Sequence, residues 1–496
     1  MTFPKFRWLF AVVAVGASAC PAVDVSLPTP LDRFYFPTAI THLDGPDGGN
    51  GVLVVASTNF DKRFSAGSLI AVNLDALNLP AFGATPTSPV TQIPLIRTTP
   101  LEADGGAPEA VRIAAFAGQM AALPLSADRF RLFVATRSEK QRVHAVDLSM
   151  GANGGLALSC LNSAERDCGL NATSLNGFEQ TETGIPRAPG AFGVALRART
   201  CSKREECGAS RDGGTYECTN ARCFATFDGR PQEPVSDVMV THISQADTPL
   251  GSAKDPRGYL VKLGSESMSV SERNFVSLST GASHSIAVGA RWNYVSGRFI
   301  SPLGNLIRLV DRESWDKEMP VVSSGVESVF RVAESRGIAL SADEKRVYLL
   351  GRSPDALLVA SIDDPNSDSP KLNVVRGIPL PSEPNEIVVL SRPGLADLLA
   401  ITCTAAGVIA LYDDQNDVLT QIPGVGIQPF GLAVDRRGVG ARLFATNFQD
   451  GRVAVIDLPD LAAPQSARVV AHLGRQQLCL VRSTDVSCVT DGGVAP

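Results

Sequence analysis

Apolar residues along the chain come in short runs, broken by clusters of Gly, Asp, Asn, Pro and Thr. Residues 442–458 show the pattern most plainly. Leu443, Phe444 and Ala445 lead into Thr446-Asn447, then Phe448-Gln449-Asp450-Gly451, then Val453, Val455, Ile456 and Asp457. An Asp-Gly turn between two β-prone runs predicts a hairpin. Residues 428–435 predict one more strand before it, joined through a turn at 436–440.

The same unit recurs. Residues 53–56 with 67–74, 132–136 with 142–148, 346–351 with 356–362, and 397–402 with 407–413 each read as a strand, a turn and a returning strand. Fainter copies end near Lys262 and Asp311. The returning strands close at 73, 147, 262, 311, 362, 413 and 457, and the last four spacings are 49, 51, 51 and 44 residues. A period of about 40 to 50 residues with several strands each predicts the blade of a β-propeller. One blade cannot bury both faces alone; stacking around a ring buries them, and closure removes the exposed ends. The predicted fold class is therefore all-β: a β-propeller of seven blades of four-stranded sheets, with a small disulfide-rich insertion. Six or eight blades, or a pair of β-sandwiches, are the rival readings, because the marks near 262 and 311 are faint.

The form "strand, Thr-Asn, turn with Gly, Val-x-Val-Ile-Asp" resembles the YVTN family of β-propeller repeats. Residues 442–458 match it best, and 53–74 match after a longer hairpin; degenerate copies cover most of 36–460. The first two spacings, 74 and 115 residues, break the period. The excess lies in two insertions, at 77–110 and 150–235. Long irregular segments in compact domains are usually functional or disordered, and propeller insertions emerge at the rims.

Composition agrees with this picture. Of 496 residues, 44% are hydrophobic and 19% charged, which supplies a large core and excludes a mainly disordered chain. Gly 44 and Pro 33 supply many turns. A net charge of −6 argues against nucleic acid as a partner.

The N-terminus adds a location. Lys5 and Arg7 precede an apolar run at 9–15 and the small residues Gly16-Ala17-Ser18-Ala19. That order is the secretory pattern, and the run is shorter than the roughly 20 residues that span a bilayer. Ala19-Cys20 resembles the end of a bacterial lipobox, although Gly16 and Ala17 stand where Leu is commoner. The resemblance implies lipidation of Cys20 and a membrane anchor; an ordinary signal peptide cut after Ala19 is the alternative. Pro21 follows, not the Asp that retains many lipoproteins at the inner membrane, which favours the outer membrane, facing the periplasm or the surface. The expected division is a signal peptide at 1–19, a lipid-anchored tether at 20–33, the propeller at 34–480 with the cysteine-rich insertion at 150–235, and a tail at 481–496.

Nine cysteines remain. Cys160, Cys168, Cys201, Cys207, Cys218, Cys223, Cys479 and Cys488 are disulfide candidates. Cys160 with Cys168, and Cys479 with Cys488, would close short loops. Pairing within 201–223 stays open, since four cysteines allow three connectivities. That segment holds many charges and little apolar material, so it needs staples. Zinc is the rival there, but the spacings differ from Cys-x2-Cys knuckles. Cys403, in a predicted strand with no His nearby, reads as a buried thiol and not as a nucleophile.

No Gly-x-Ser-x-Gly, Gly-Lys-Ser/Thr phosphate loop or His-Glu-x-x-His occurs. His42, His144, His242, His284 and His472 are scattered, so no catalytic residue or resident metal is assigned, and no cofactor is predicted. Acidic turns at 44–50, 363–368 and 413–417 carry oxygens that suit Ca²⁺, and the same residues are ordinary turn formers. The expected function is an exported, lipid-anchored binding or scaffold module at the bacterial cell envelope. Its partner would be a protein or glycan, with the stapled insertion as a candidate contact. The alternative is a propeller enzyme resembling lactonases or oxidoreductases, with its site at the central channel. A structural envelope protein without a specific small ligand is the third reading.

Overall fold

The computed structural model describes residues 27–46, 48–95, 109–137, 142–151, 154–161, 166–171, 173–174, 190–207, 215–226, 232–242, 258–266, 268, 275–278, 282–298, 307–311, 318–320, 334–474, 477–481 and 486–490. The signal segment, Cys20 and Trp315 lie outside them, as do the side chains of Cys479 and Cys488.

The fold is all-β, with one helical turn at Cys168–Asn171 and short 3₁₀ turns. Seven antiparallel sheets follow one another along the described chain. Sheet 1 holds Pro37–Leu43, Val52–Ser57, Gly67–Asn73 and Ala110–Ile113. In sheet 2, Ala117–Pro124, Arg129–Thr136 and Arg142–Met150 are edged by Leu156–Cys160 and Thr173–Ser174, which pair with different parts of the third strand. Sheet 3 is Ala191–Ala198, Ser236–His242, Gly258–Gly264 and Phe275–Leu278; sheet 4 is Ala282–Val288, Trp292–Arg298, Ile307–Asp311 and Glu318–Pro320. Sheet 5 is Glu334–Leu340, Arg346–Arg352, Ala356–Asp363 and Lys371–Pro379; sheet 6 is Pro384–Leu390, Leu398–Cys403, Val408–Asp413 and Val418–Ile422. Sheet 7 is Pro429–Arg437, Gly440–Asn447, Arg452–Leu458 and Arg468–Leu473, and Thr91–Ile93 joins its edge in parallel. The seven closing positions read from the sequence all fall on third strands, those at 262 and 311 included.

The core lies between the sheets. Val54 and Ala56 of sheet 1 pack with Leu132 and Val134 of sheet 2. Leu53 and Val55, one residue out of step, pack with Phe444, Val453 and Val455 of sheet 7. Alternate residues of one strand point to opposite faces, so a strand sandwiched between two neighbours reads as a continuous apolar run. Further apolar clusters join sheets 2 and 3, 3 and 4, 4 and 5, 5 and 6, and 6 and 7. First strands also touch in succession, and that of sheet 7 lies against that of sheet 1. Five of these seven sheets have the expected four strands, while sheets 2 and 7 have five, each with an added edge strand; the arrangement is broadly compatible with a propeller-like architecture.

Both insertions are built onto the sheets. The chain after sheet 1's third strand crosses to sheet 7. There the Gly83 amide donates to Asp457 at 2.8 Å, and Arg442 reaches the Pro80 carbonyl at 2.8 Å. The cysteine-rich piece leaves between the first and second strands of sheet 3. It forms a three-stranded sheet from Thr215–Thr219, Arg222–Thr226 and Glu233–Pro234.

Candidate functional site: the central channel

Each first strand slips register against its second strand near its start, at Pro37/Ala39, Ala117/Met120, Ala191/Val194, Ser283/Ile286, Ser335/Ile338, Pro384/Ile387 and Pro429/Leu432. A bulge re-aims the side chains it carries. The result is a cavity lined from all seven first strands: Thr38, Gln119, Phe192, His284, Ser285, Arg336, Asn385, Glu386 and Phe430 are among its walls. Its free volume is about 390 Å³ counting the opening to solvent.

Close approach of the first strands sets the local sequence. A Cβ on Gly431 would stand 2.1 Å from the Thr38 carbonyl oxygen, and one on Gly193 2.2 Å from that of His284. Neither position has room for a side chain. Hydroxyls on the second strands satisfy the bulges. Thr402 accepts from the Glu386 amide at 3.0 Å and donates to the Phe430 carbonyl at 3.0 Å. Thr241 does the same between Gly193 and His284, and Ser296 between Ser285 and Arg336.

Charged groups meet in this channel. Glu386 touches the cavity, but burial of its carboxyl pushes its pKa up to about 8, against the pull of the Leu432 amide. At neutral pH the acid therefore stays largely protonated. Arg336 pairs with Glu334, and its Nη1 lies 3.3 Å from His284 Nδ1. Burial, with Arg352 and Arg137 nearby, pushes its pKa down to about 10 despite Glu334. Gln119 reaches across to Ser285 at 3.0 Å.

Second-to-third hairpins and the links between sheets share one end of the channel, and there aromatic rings gather. Phe36, Phe60, Phe116, Phe430 and Phe448 stand in successive contact, with centroids 5.0–6.1 Å apart. Phe60 is 46% exposed. Leu27 is bonded to Arg63 and Ser65 on the hairpin beside Phe60, so the N-terminal segment arrives at this end. First-to-second hairpins, and with them the cysteine-rich insertion, lie at the opposite end.

Of the five histidines singled out from sequence, His284 lines the channel. His144 is enclosed, with Nδ1 3.1 Å from the Cys168 carbonyl and Nε2 3.2 Å from the Ala114 amide; burial pushes its pKa down to about 4. His472 is pushed down to about 4 for the same reason. His242 is buried in sheet 3. The His42 ring stacks on Phe444 and reaches the Asn50 carbonyl at 2.7 Å.

Cys160 is bonded to Cys168, Cys201 to Cys218, and Cys207 to Cys223. Sulfurs so paired are not thiolate ligands for zinc. Cys479 and Cys488 are cross-strand partners in the hairpin of Gln477–Val481 and Val486–Thr490. Cys403 is a buried free thiol, pushed up to about 12 chiefly by burial.

Arginines occupy the acidic turn at 413–417: Arg392 binds Asp413 at 2.5 Å, while Arg346 and Arg376 hold Asp414. At 363–368, Asp363 accepts from Asn373, and Asp368 pairs with Arg291. At 44–50, donor atoms of His42, Asp44 and Asp435 lie within 4.8 Å of one another, yet Asp435 also pairs with Arg437 at 2.5 Å. Sequence reading missed Glu386, Arg336 and Asn385. Arg336 left a faint trace, a bulky or polar residue beside a glycine at the start of a first strand, as in Arg336-Gly337, Phe192-Gly193 and Phe430-Gly431; Asn385 and Glu386 have no glycine beside them.

No family model matches the chain, and no curated protein matches it. Among solved structures, Chaetomium thermophilum Sqt1 is 13% identical, with a TM-score of 0.45 over 94% of this chain and 95% of its own. Kuenenia stuttgartiensis hydrazine synthase is 9% identical, with a TM-score of 0.44 over 88% and 99%. A putative 6-phosphogluconolactonase from Bacteroides fragilis is 13% identical, with a TM-score of 0.40 over 78% and 82%.

Proposed function

We propose that the seven sheets are the blades of a closed β-propeller of YVTN-like repeats, exported and lipid-anchored through Cys20. In this reading it serves as a binding module at the bacterial cell envelope, at the outer membrane. The carrying observation is the aromatic cluster at the channel mouth, with Phe60 standing 46% exposed. Rigidly held aromatic rings give large contact area at little entropic cost, which suits a protein or glycan partner. Fixed strands carry the hairpins; the hairpins recognise.

Affinity capture from envelope extracts tests this, with the mature chain beside Phe60→Ser and a deletion of 200–224. Loss of partners in Phe60→Ser alone supports the aromatic mouth, and loss in the deletion alone moves the contact to the stapled insertion. An unchanged set in both defeats the reading. Separately, Cys20→Ser is expected to release the protein from membranes; a variant that stays fully bound ends the lipid-anchor proposal.

A second reading, an enzyme acting at the channel, draws support from Glu386, His284 and Arg336 converging on one cavity from three sheets. A carboxyl held protonated at neutral pH is suited to general-acid work.

A further inference from the structure

We infer that the channel mouth is a binding site for a small oxyanion-bearing ligand, one that presents a phosphate or carboxylate group to Arg336 and Arg137. The inference rests on the guanidinium groups of the cavity and not on the exposed Phe60 ring that carries the proposed partner contact.

Arg336 lines the cavity, and two further arginines lie within electrostatic reach of it. Arg336 comes from the first strand of sheet 5, Arg352 from the end of its second strand, and Arg137 from the hairpin end of sheet 2. Arg137 and Arg352 both lie close enough to Arg336 to oppose its charge. Like charges gather in this way at a cost unless an anion joins them.

Among the described residues the carboxylate paired with this group is that of Glu334, one negative charge against three guanidinium groups. Glu334 pairs with Arg336 and lies 3.6 Å from His284. Arg352 bonds through Nε to the Pro384 carbonyl, not to a carboxylate. The Arg137 guanidinium lies over the Phe192 ring at 5.4 Å, and its Nε is enclosed without a hydrogen-bond partner. Glu386 adds little negative charge, because it holds its proton at neutral pH.

Guanidinium groups match the paired oxygens of carboxylate and phosphate. Phe192 and Phe430 flank the same cavity and offer apolar faces to the rest of such a ligand. A free volume of about 390 Å³, opening included, suits a small molecule over a polymer.

Titration calorimetry of the full chain with inorganic phosphate and with citrate tests the inference, since the two probes separate a phosphate site from a carboxylate site. Saturable binding of one or both is expected, weakened at least about tenfold by Arg336→Met and by Arg137→Met. Phe60→Ser, which disables the proposed partner surface, is expected to leave anion binding unchanged, so the two ideas fail separately. Should Arg336→Met not fold, Arg137→Met at the mouth, checked by an unchanged melting curve, decides alone. Absence of saturable binding of either anion at millimolar concentration, or equal binding by the arginine variants, overturns the site.

Discussion

The hydroxyl of Thr446, in sheet 7, reaches the carbonyl of Thr38, in sheet 1, at 3.2 Å, across 408 residues of chain. The same oxygen accepts from the Gly431 amide at 2.8 Å. Thr446 is fully buried, so neither group has water to fall back on. Thr446→Val keeps the shape and removes the hydroxyl, leaving a buried donor and acceptor unmade. A loss of about 2 kcal/mol is expected, read as a lower denaturant midpoint, with Thr446→Ser recovering most of it. Equal midpoints for Val and wild type would show that this contact does not hold the first sheet to the last.

Arg442 and Asp457 form a second join in sheet 7. Arg442 Nε lies 2.7 Å from the carboxylate, and both side chains are almost wholly buried. Their spare hydrogen-bonding atoms hold Pro80 and Gly83 of the connection from sheet 1. Removing one partner strands the other charge. Asp457→Asn is expected to cost about 3 kcal/mol or more and to open residues 77–95 to proteolysis, while Arg442→Met with Asp457→Leu costs less than either alone. Limited proteolysis with denaturation on the four variants checks the order.

The strands and their period were legible because third strands carry apolar runs that end in Asp or a polar residue, as at Asp147, Asp413 and Asp457. The structure gives that mark a physical role: Asp147 and Asp457 receive Arg131 and Arg442, which stand opposite them in register. The channel was not legible. Glu386, Arg336 and His284 lie on three different first strands, and what unites them is a bulge, which sequence spacing does not display. The insertion at 77–110 looked like a rim loop, yet part of it is a parallel edge strand, Thr91–Ile93. That pairing depends on a strand some 380 residues away.

Two groups, the fully buried His144 and the half-buried Glu386, pull stability in opposite directions with pH. His144 has its folded pKa lowered from 6.5 to about 4, so the folded state takes up its proton less readily than the unfolded chain. Its contribution is present above about 6.5 and is lost as pH falls toward 4, at up to about 1.4 kcal/mol per unit. Glu386 has its folded pKa raised from 4.5 to about 8, so its contribution is present below about 4.5 and lost as pH rises toward 8. Denaturation of wild type and Glu386→Gln across pH 5 to 8 separates them. The variant is expected to be relatively more stable at the alkaline end, and parallel curves would contradict the burial of that carboxyl.

The cysteine-rich insertion rests on its disulfides more than on its core. Its apolar cluster is Cys201, Cys207, Cys223, Tyr216, Ala225 and Val235, with Cys218 against it, so much of that core is sulfur. Outside contacts are polar: Glu233 meets Arg131 at 2.9 Å, and the Tyr216 hydroxyl meets Glu266 at 3.0 Å. Each crosslink of this loop length contributes about 3 kcal/mol, which a piece with so little apolar burial cannot replace. Mild reduction is therefore expected to unfold the insertion and leave the sheets intact. Protease would then cut within 200–235 first, with the far-ultraviolet strand signal almost unchanged. Peptide mapping without reductant should recover the 160–168, 201–218 and 207–223 links, and Cys403 should resist alkylation until the sheets themselves open. Rapid alkylation of Cys403 in the native protein, or loss of the whole strand signal on mild reduction, would count against this separation of insertion from sheets.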